Sequence, residues 1–198
     1  PEVHRVTSYC LPHNLRRKSV DELRQLREAG LKMLYVGAES GDDEVLQRVN
    51  KGETFESTAE ALLKAREAGL KTSVMILNGL GGRSLSEQHA INSARLMNLT
   101  QPDYLSTLVV SFPRGLDRYR EQFPDFQPLD QQELFVEMER FLSELALEDT
   151  VFRSDHASNY LVLKGVLGRD KERMLAQVRT AIEQPDRAGL RAEWMRGL

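Results

Sequence analysis

Helical and strand-like patterns of apolar residues alternate along the first 110 residues of the chain. Two of the predicted helices end in the same six residues, Arg27–Lys32 and, 39 positions later, Arg66–Lys71, and an apolar run follows each copy. We interpret each copy as the last turn of a helix, a glycine with positive φ and the start of a strand. Two identical copies favour a tandem α/β architecture over a chance helix–glycine–strand junction.

Four strands and three intervening helices are predicted in this part of the chain. The strands are predicted at residues 5–10, 33–36, 72–77 and 104–110. A serine followed three residues later by a glutamate predicts helix N-termini at Ser19, Ser57 and Ser84. The long crossovers make the strands parallel, and their mostly apolar sequences indicate a sheet whose outer face is covered by helices.

The pattern changes after Pro113, where a charged loop with scattered aromatic residues runs to Pro128. Beyond it, apolar residues recur at helical spacing over residues 131–147 and again over residues 170–182. Each of these segments is predicted to be an amphipathic helix, so the second half of the chain is expected to be mostly helical.

Two short apolar segments in this second half are less regular. Residues 150–153 are predicted as a short fifth strand, whereas residues 160–166 stay ambiguous. We expect a partial (β/α) barrel over residues 1–113 and a helical extension packing on it over residues 114–198. The extension is expected to end in a loose tail that Trp194 anchors.

Composition and charge narrow the classes of protein to which this fold belongs. The chain is 40% hydrophobic and 29% charged, which is typical of a folded domain rather than a disordered segment. Its net charge of -3 argues against binding to nucleic acid or to an anionic membrane. No apolar run approaches the ~20 residues of a membrane helix. We therefore expect a cytoplasmic protein.

The single cysteine, Cys10, excludes an internal disulfide and any all-cysteine metal or iron–sulfur site made by this chain alone. No metal ligands are predicted within these residues. Cys10 is interpreted as a small buried hydrophobic residue, because no histidine or asparagine is identifiably paired with it. His89 lies in the middle of a predicted helix and is interpreted as structural.

Polar residues and glycines follow the predicted strands at their carboxyl ends, where parallel α/β proteins bind ligands. Glu39 comes directly after the second strand, and such a carboxylate is either paired with a neighbouring cation or contacts a ligand. Gly79–Gly82 form either a close approach for an anionic ligand or a tight turn. Asp155, His156 and Asn159 form a polar cluster after the possible fifth strand.

Several of these segments resemble one known family. Residues 34–46, which contain a Gly-x-Glu-Ser-Gly turn, and residues 49–52 resemble the fourth strand of the radical S-adenosylmethionine (radical SAM) core and the segment after it. Residues 75–82 are similar to the glycine motif of that family's fifth strand. Residues 152–159 resemble a segment of an uncharacterised bacterial branch often labelled Fe-S oxidoreductase. The resemblance covers roughly residues 5–170.

This resemblance implies a fold, a chemistry and a set of site residues. The fold would be the last four strands of a parallel (β/α)6 core. In the family, a [4Fe-4S] cluster held by a Cys-x3-Cys-x2-Cys loop reduces SAM to a 5′-deoxyadenosyl radical, which acts on the substrate. The residues implied on the SAM side are Glu39, Ser40, Leu77, Asn78, Gly79, Ser111 and Phe112. A substrate side is expected at Asp155, His156 and Asn159.

The sequence departs from the family because it lacks both the Cys-x3-Cys-x2-Cys loop and the Gly-Gly-Glu motif of the second strand. Residues 5–10 then correspond to the third barrel strand. We expect the chain to be the C-terminal part of a radical SAM enzyme, inactive by itself and binding neither cluster nor SAM. A homodimer along the truncated edge of the barrel is expected, because unpaired strands and uncovered apolar residues favour association.

Two other interpretations stay open at this point. A phosphate-binding (β/α) barrel lyase would use Gly79–Gly82 as an anion cradle and Lys51 or His156 as acid and base, although further strands would be needed. A non-catalytic α/β interaction module is the other. The substrate, a small molecule or another class, is not specified, because substrate-binding loops vary freely on one fold.

Overall fold

The computed structural model describes residues 5–112 and 115–197. In this part of the chain the strands are β1 (Val6–Cys10), β2 (Leu31–Glu39), β3 (Lys71–Asn78), β4 (Tyr104–Val109), β5 (Val151–Ser154) and β6 (Leu163–Val166). The helices are α1 (Pro12–Arg16), α2 (Val20–Glu28), α3 (Asp43–Arg48), α4 (Phe55–Glu67), α5 (Gly82–Thr100), α6 (Asp117–Arg120), α7 (Gln131–Glu144) and α8 (Leu167–Glu183).

The described strands form one six-stranded sheet in the order β1-β2-β3-β4-β5-β6. Neighbouring strands from β1 to β5 are parallel, and β6 is antiparallel to β5. The four predicted strands and the fifth are confirmed, and the ambiguous residues 160–166 contain strand β6. The helical extension is present, and its two strands continue the same sheet. The domain boundary predicted at Pro113 lies outside the described residues.

Side chains alternate between two environments along every strand from β2 to β5. One face of the sheet is buried under helices, and we call it the packed face. In adjacent register it carries Val36, Val74, Leu105 and Phe152. The other, which we call the open face, carries half-buried and exposed residues, among them Tyr9, Tyr35, Ser73, Met75 and Ser106.

Helix N-termini match the sequence predictions in one case of three. Ser19 forms the predicted capping box at the start of α2. The prediction for Ser57 is wrong, because Thr54 caps α4 and Ser57 lies in its first turn. The prediction for Ser84 is also wrong, because α5 already begins at Gly82. Within the described residues, no helix combines the length and apolarity needed to cross a membrane.

The C-terminal tail is held by arginines rather than by its tryptophan. Trp194 is 84% exposed, so its predicted role as an anchor is wrong. The side chain of Arg196 is only 5% exposed. Its guanidinium lies 3.6 Å from the ring centroid of Tyr160 and donates to the Ser158 carbonyl at 2.9 Å. Guanidinium has five N–H donors for main-chain carbonyls, whereas indole has one, which explains the exchange of roles.

Candidate functional site

Glu39 ends β2 in an unusual backbone conformation. The register between β2 and β3 shifts between Gly37 and Glu39, and Glu39 has a φ of 67°. A non-glycine residue held in this region costs on the order of 1–3 kcal/mol and is characteristic of ligand-binding positions. The carboxylate lies over Gly37, where a Cβ atom would collide with Oε1 of Glu39. The bulge therefore returns the Glu39 side chain to the open face, over the space that glycine leaves.

Lys51 is the partner of Glu39. The Lys51 ammonium lies 3.0 Å from Oε1 of Glu39, and the two side chains are 16% and 21% exposed. The ion pair that the sequence left open as one interpretation of Glu39 is thus present. Both side chains keep an accessible fraction, so the pair presents an anion and a cation at the carboxyl end of β2.

Ser40 points in the opposite direction from Glu39. The residue is fully buried, and its Oγ lies 2.8 Å from Nδ1 of His89 in α5. The same oxygen accepts a hydrogen bond from the main-chain amide of Asp42 at 2.9 Å. The Ser40 hydroxyl is therefore part of the protein interior and not of the open face.

The turn after Ser40 is clamped onto α5. The Gly41 amide donates to Oγ of Ser93 at 2.9 Å, and a Cβ atom on Gly41 would collide with the main chain of Asn92. Asp42 accepts hydrogen bonds from Asn92 at 2.7 Å and from Gln88 at 3.1 Å. Gly41 is thus required for the close approach of this turn to α5. The contact with α5 holds the turn, and the turn fixes the position of Glu39.

The end of β3 is fixed by a buried carboxylate that sequence reasoning missed. Leu77 lies half-buried on the open face, while Asn78 is buried. The Gly79 amide donates to Oε1 of Glu137 in α7 at 2.6 Å, and the Ser86 hydroxyl donates to Oε2 at 2.6 Å. Burial raises the pKa of Glu137, although its hydrogen bonds with Ser86 and the Gly79 amide oppose the shift. The sequence signal that could have identified Glu137 as buried is its position within the apolar stripe of α7.

The end of β4 also has one residue exposed to solvent and one packed inside the protein. Ser111 is exposed, consistent with an accessible position beside the open face. Phe112 packs edge-on against Tyr119 and Phe126, with ring centroids 5.0 and 5.4 Å apart. Phe112 therefore belongs to a small aromatic cluster, and Ser111 is the residue at this strand end that faces solvent.

The polar cluster after β5 does not converge on one point. Asp155 pairs with Lys164 at 2.9 Å, and this hydrogen bond lowers the pKa of the Asp155 carboxyl. His156 is exposed, with Nδ1 2.9 Å from Oγ of Ser158. Asn159 is buried and donates to a main-chain carbonyl of β4 at 2.8 Å. Two of the three predicted residues are thus accessible, and the third joins β4 to the loop.

Asn159 shares a small internal cavity with Asn78. The cavity has a volume of about 20 Å³ and lies between the ends of the strands and α7. Both side chains line it, and Oδ1 of Asn159 makes no hydrogen bond to any described residue. The structure therefore brings together these two predicted residues beneath the open face, away from Glu39.

The described residues offer few groups that could bind a metal ion. Cys10 is half-buried, and burial raises the pKa of its thiol to about 11. A thiolate is needed for nucleophilic attack, so this thiol is unsuited to act as a nucleophile. Residues 5–112 and 115–197 contain no group of three or more histidine, cysteine or acidic side chains that could hold a metal ion. These residues do not fit an iron–sulfur cluster.

The accessible site consists of a charged pair next to an apolar surface. Glu39 and Lys51 lie at the end of β2, while Leu77 and Leu108 are neighbours in register on β3 and β4. Such a surface can bind a molecule that has both charged groups and an apolar or planar part. SAM, with an ammonium, a carboxylate and an adenine, is a molecule of this kind.

Residues 2–96 match the family model of the Radical SAM superfamily. The chain is also 24% identical over 110 residues to a curated tRNA uridine(34) acetyltransferase from Methanocaldococcus infernus. That alignment covers 56% of this chain and 20% of the relative, so the chain spans about a fifth of the relative's length.

Two solved structures are similar to the chain. The archaeal Methanocaldococcus infernus Elp3 with an N-terminal deletion aligns with a TM-score of 0.60 and 19% identity, over 87% of this chain and 42% of that one. Methylornithine synthase (PylB) aligns with a TM-score of 0.48 and 17% identity, over 72% of this chain and 40% of that one. The Elp3 likeness confirms the predicted α/β class with a partial barrel. The resemblance seen in the sequence is confirmed as well, because residues 2–96 match the model of the radical SAM superfamily.

Proposed function

We propose that this chain is part of a radical SAM enzyme and that its open face forms the SAM-facing wall. The observation that supports this proposal best is Glu39, whose strained backbone places a carboxylate on the open face at the carboxyl end of β2. Strain of this kind persists only where the surrounding structure holds it, and it is found most often at binding and catalytic sites.

SAM and the accessible residues fit one another chemically. The Glu39 carboxylate can accept hydrogen bonds from the SAM ammonium or a ribose hydroxyl, and the Lys51 ammonium can pair with the SAM carboxylate. Leu77 and Leu108 offer an apolar surface for the adenine. Ser111 lies at the accessible rim. Ser40, Asn78 and the Gly79 amide would act indirectly, by fixing the two strand ends.

The cluster requires residues that this chain does not supply. A [4Fe-4S] cluster of this family needs three cysteines, and the chain has one. We therefore place the cluster ligands in another part of the protein. When SAM is cleaved reductively it supplies a 5′-deoxyadenosyl radical, and the residues described here would bind and orient SAM for that step.

The substrate would meet the same face from the side of β5. Asp155 and His156 are the accessible members of the predicted cluster there and are proposed as substrate contacts. Asn159 would keep β4 and the loop in place. The enzyme is placed in the cytoplasm, a reducing compartment that suits an iron–sulfur protein.

The test is an anaerobic assay of the longest natural protein that contains these residues. After reconstitution with iron and sulfide and reduction with dithionite, 5′-deoxyadenosine formed from SAM is measured by mass spectrometry. We expect product from that protein and none from the 198-residue chain under the same conditions. A protein that carries a full cluster and binds SAM without ever forming 5′-deoxyadenosine would contradict the proposal.

A further inference from the structure

Both ring nitrogens of His89 form hydrogen bonds, one at the end of β2 and the other at the end of β3. His89 is buried in the middle of α5. Nδ1 lies 2.8 Å from Oγ of Ser40, just after β2, and Nε2 lies 3.0 Å from the carbonyl oxygen of Leu77 in β3. One imidazole therefore connects the ends of the two strands that carry the proposed SAM contacts.

The partners determine which atoms donate along this connection. The Leu77 carbonyl can only accept, so Nε2 of His89 carries the hydrogen and Nδ1 is the acceptor. The Ser40 hydroxyl must then donate to Nδ1, and its oxygen accepts from the Asp42 amide at 2.9 Å. Three hydrogen bonds in series thus run from the end of β3 to the turn that follows Glu39.

Neighbouring side chains on α5 reach one strand end or the other. Ser93 and Asn92 contact Gly41 and Asp42, after β2. Ser86 acts on the end of β3 through Glu137 of α7, which in turn binds the Gly79 amide. Among the described hydrogen bonds of α5 side chains, those of His89 are the ones that include both strand ends.

We propose that His89 is a positioning residue that sets the spacing between the Glu39 end of β2 and the Leu77 end of β3. Its importance for SAM rests on the function proposed above, whereas the coupling of the two strand ends does not. The rigid imidazole ring lies between the Ser40 hydroxyl and the Leu77 carbonyl and holds these two groups at a fixed separation. Removing one of its two bonds should release one strand end and leave the other in place.

Two conservative variants separate the two bonds. His89→Asn keeps an acceptor oxygen near the position of Nδ1 and loses the donor to Leu77. His89→Gln places an amide donor near the position of Nε2 and loses the acceptor for Ser40. The experiment is hydrogen–deuterium exchange of the intact protein, with the main-chain amides of residues 40–43 and 78–81 followed separately.

We expect His89→Asn to speed exchange about tenfold over residues 78–81, with less than about a twofold change over residues 40–43. His89→Gln should give the reverse pattern. Ser93→Ala is the control on the same helix, and it should affect residues 40–43 without changing residues 78–81. Equal loosening of both segments by the two His89 variants, or no loosening by either, would overturn the proposal.

A second readout keeps the two proposals apart. In the cluster-containing protein, both His89 variants should weaken SAM binding, because each displaces one wall of the site. If the exchange pattern is as expected and SAM affinity does not change, the coupling by His89 stands and the assigned SAM wall is wrong. Failure of the exchange pattern overturns the coupling whether or not SAM binds.

Discussion

On the packed face of the sheet, Val74 and Phe152 are buried under helices, whereas on the open face their strand neighbours Met75 and Arg153 are half-buried and exposed. The two faces come from the same strands and the same alternation of side chains. The difference lies in what covers them, because the large hydrophobic core packs against one face of the sheet. Stability should therefore depend on the packed face and ligand binding on the open face, so substitutions on the two faces should have separable effects.

The largest difference between the faces is expected from truncating one side chain on each. Phe152→Ala leaves a cavity beneath the helices and should lower the free energy of unfolding by about 3–5 kcal/mol. Met75→Ala, on the open face, should cost about 1 kcal/mol or less, because the side chain is already in part hydrated. Urea unfolding followed by circular dichroism measures both. Equal losses for the two variants would mean that the open face is covered in solution.

The C-terminal tail offers the same comparison between a buried and an exposed side chain, in two residues that are close in sequence. Arg196→Ala removes a buried guanidinium with its carbonyl and aromatic contacts, and should cost about 2 kcal/mol of unfolding free energy. Trp194→Ala removes a larger but exposed side chain and should change stability by less than about 0.5 kcal/mol. Thermal unfolding of both variants checks this order. A greater loss for Trp194→Ala would show that the tail is anchored by the indole after all.

Glu137, which is buried on α7, should make the stability of the protein depend on pH. Its raised pKa means that the folded protein holds this proton more tightly than the unfolded chain does. The associated stability is complete below the unfolded pKa of about 4.3 and is lost as the pH rises through the folded value.

Replacing Glu137 with glutamine keeps its shape and removes the charge. Glu137→Gln should therefore match the wild type near pH 4 and have a higher unfolding free energy than the wild type at pH 8. Glu144→Gln, at an exposed position on the same helix, is the control, and its difference from wild type should not vary with pH in this way. A destabilised Glu137→Gln protein at pH 8 would show that the carboxylate's hydrogen bonds outweigh its burial.

The open face also predicts self-association of the chain, the smallest effect in this series. In the described structure β1 pairs with β2 alone, and Tyr9 on it is 81% exposed. Unpaired edge strands and exposed aromatic residues favour pairing with a second copy. Sedimentation should show a concentration-dependent dimer that Tyr9→Lys disrupts. A monomer at all micromolar concentrations would contradict this prediction.

The sequence predicted the parts of the molecule that follow periodic patterns. Alternating apolar residues in β3 and the repeated helix ends identified the parallel sheet, and Gly30 and Gly69 have the predicted positive φ of 111° and 75°. The local serine–glutamate pattern predicted the N-cap at Ser19 correctly. It failed for Ser57, because Thr54 competes for the same cap three residues earlier. A local pattern does not rank two competing caps.

Contacts distant in sequence explain what could not be predicted at the site. The family resemblance implies a cofactor-side position for both Glu39 and Ser40, whereas the bulge directs the two side chains in opposite directions. The role of Glu137 depends on the Gly79 amide, 58 residues away in the chain. The tail's contact through Arg196 depends on Ser158, in a loop 38 residues away in the chain. Pairings of this kind are set by packing, not by periodicity.

The central claim is that the Glu39 carboxylate contacts SAM, and its most direct test is the SAM affinity of one matched pair of variants. In the cluster-containing protein, Glu39→Gln should weaken SAM binding about tenfold or more while the melting temperature stays close to that of the wild type, because a charged hydrogen bond is worth about 1.5–3 kcal/mol. Glu44→Gln, which alters an exposed carboxylate paired with Arg48, should leave SAM affinity unchanged. Unchanged SAM affinity in Glu39→Gln together with a large fall in melting temperature would show that the pair with Lys51 is structural, and would contradict the claim.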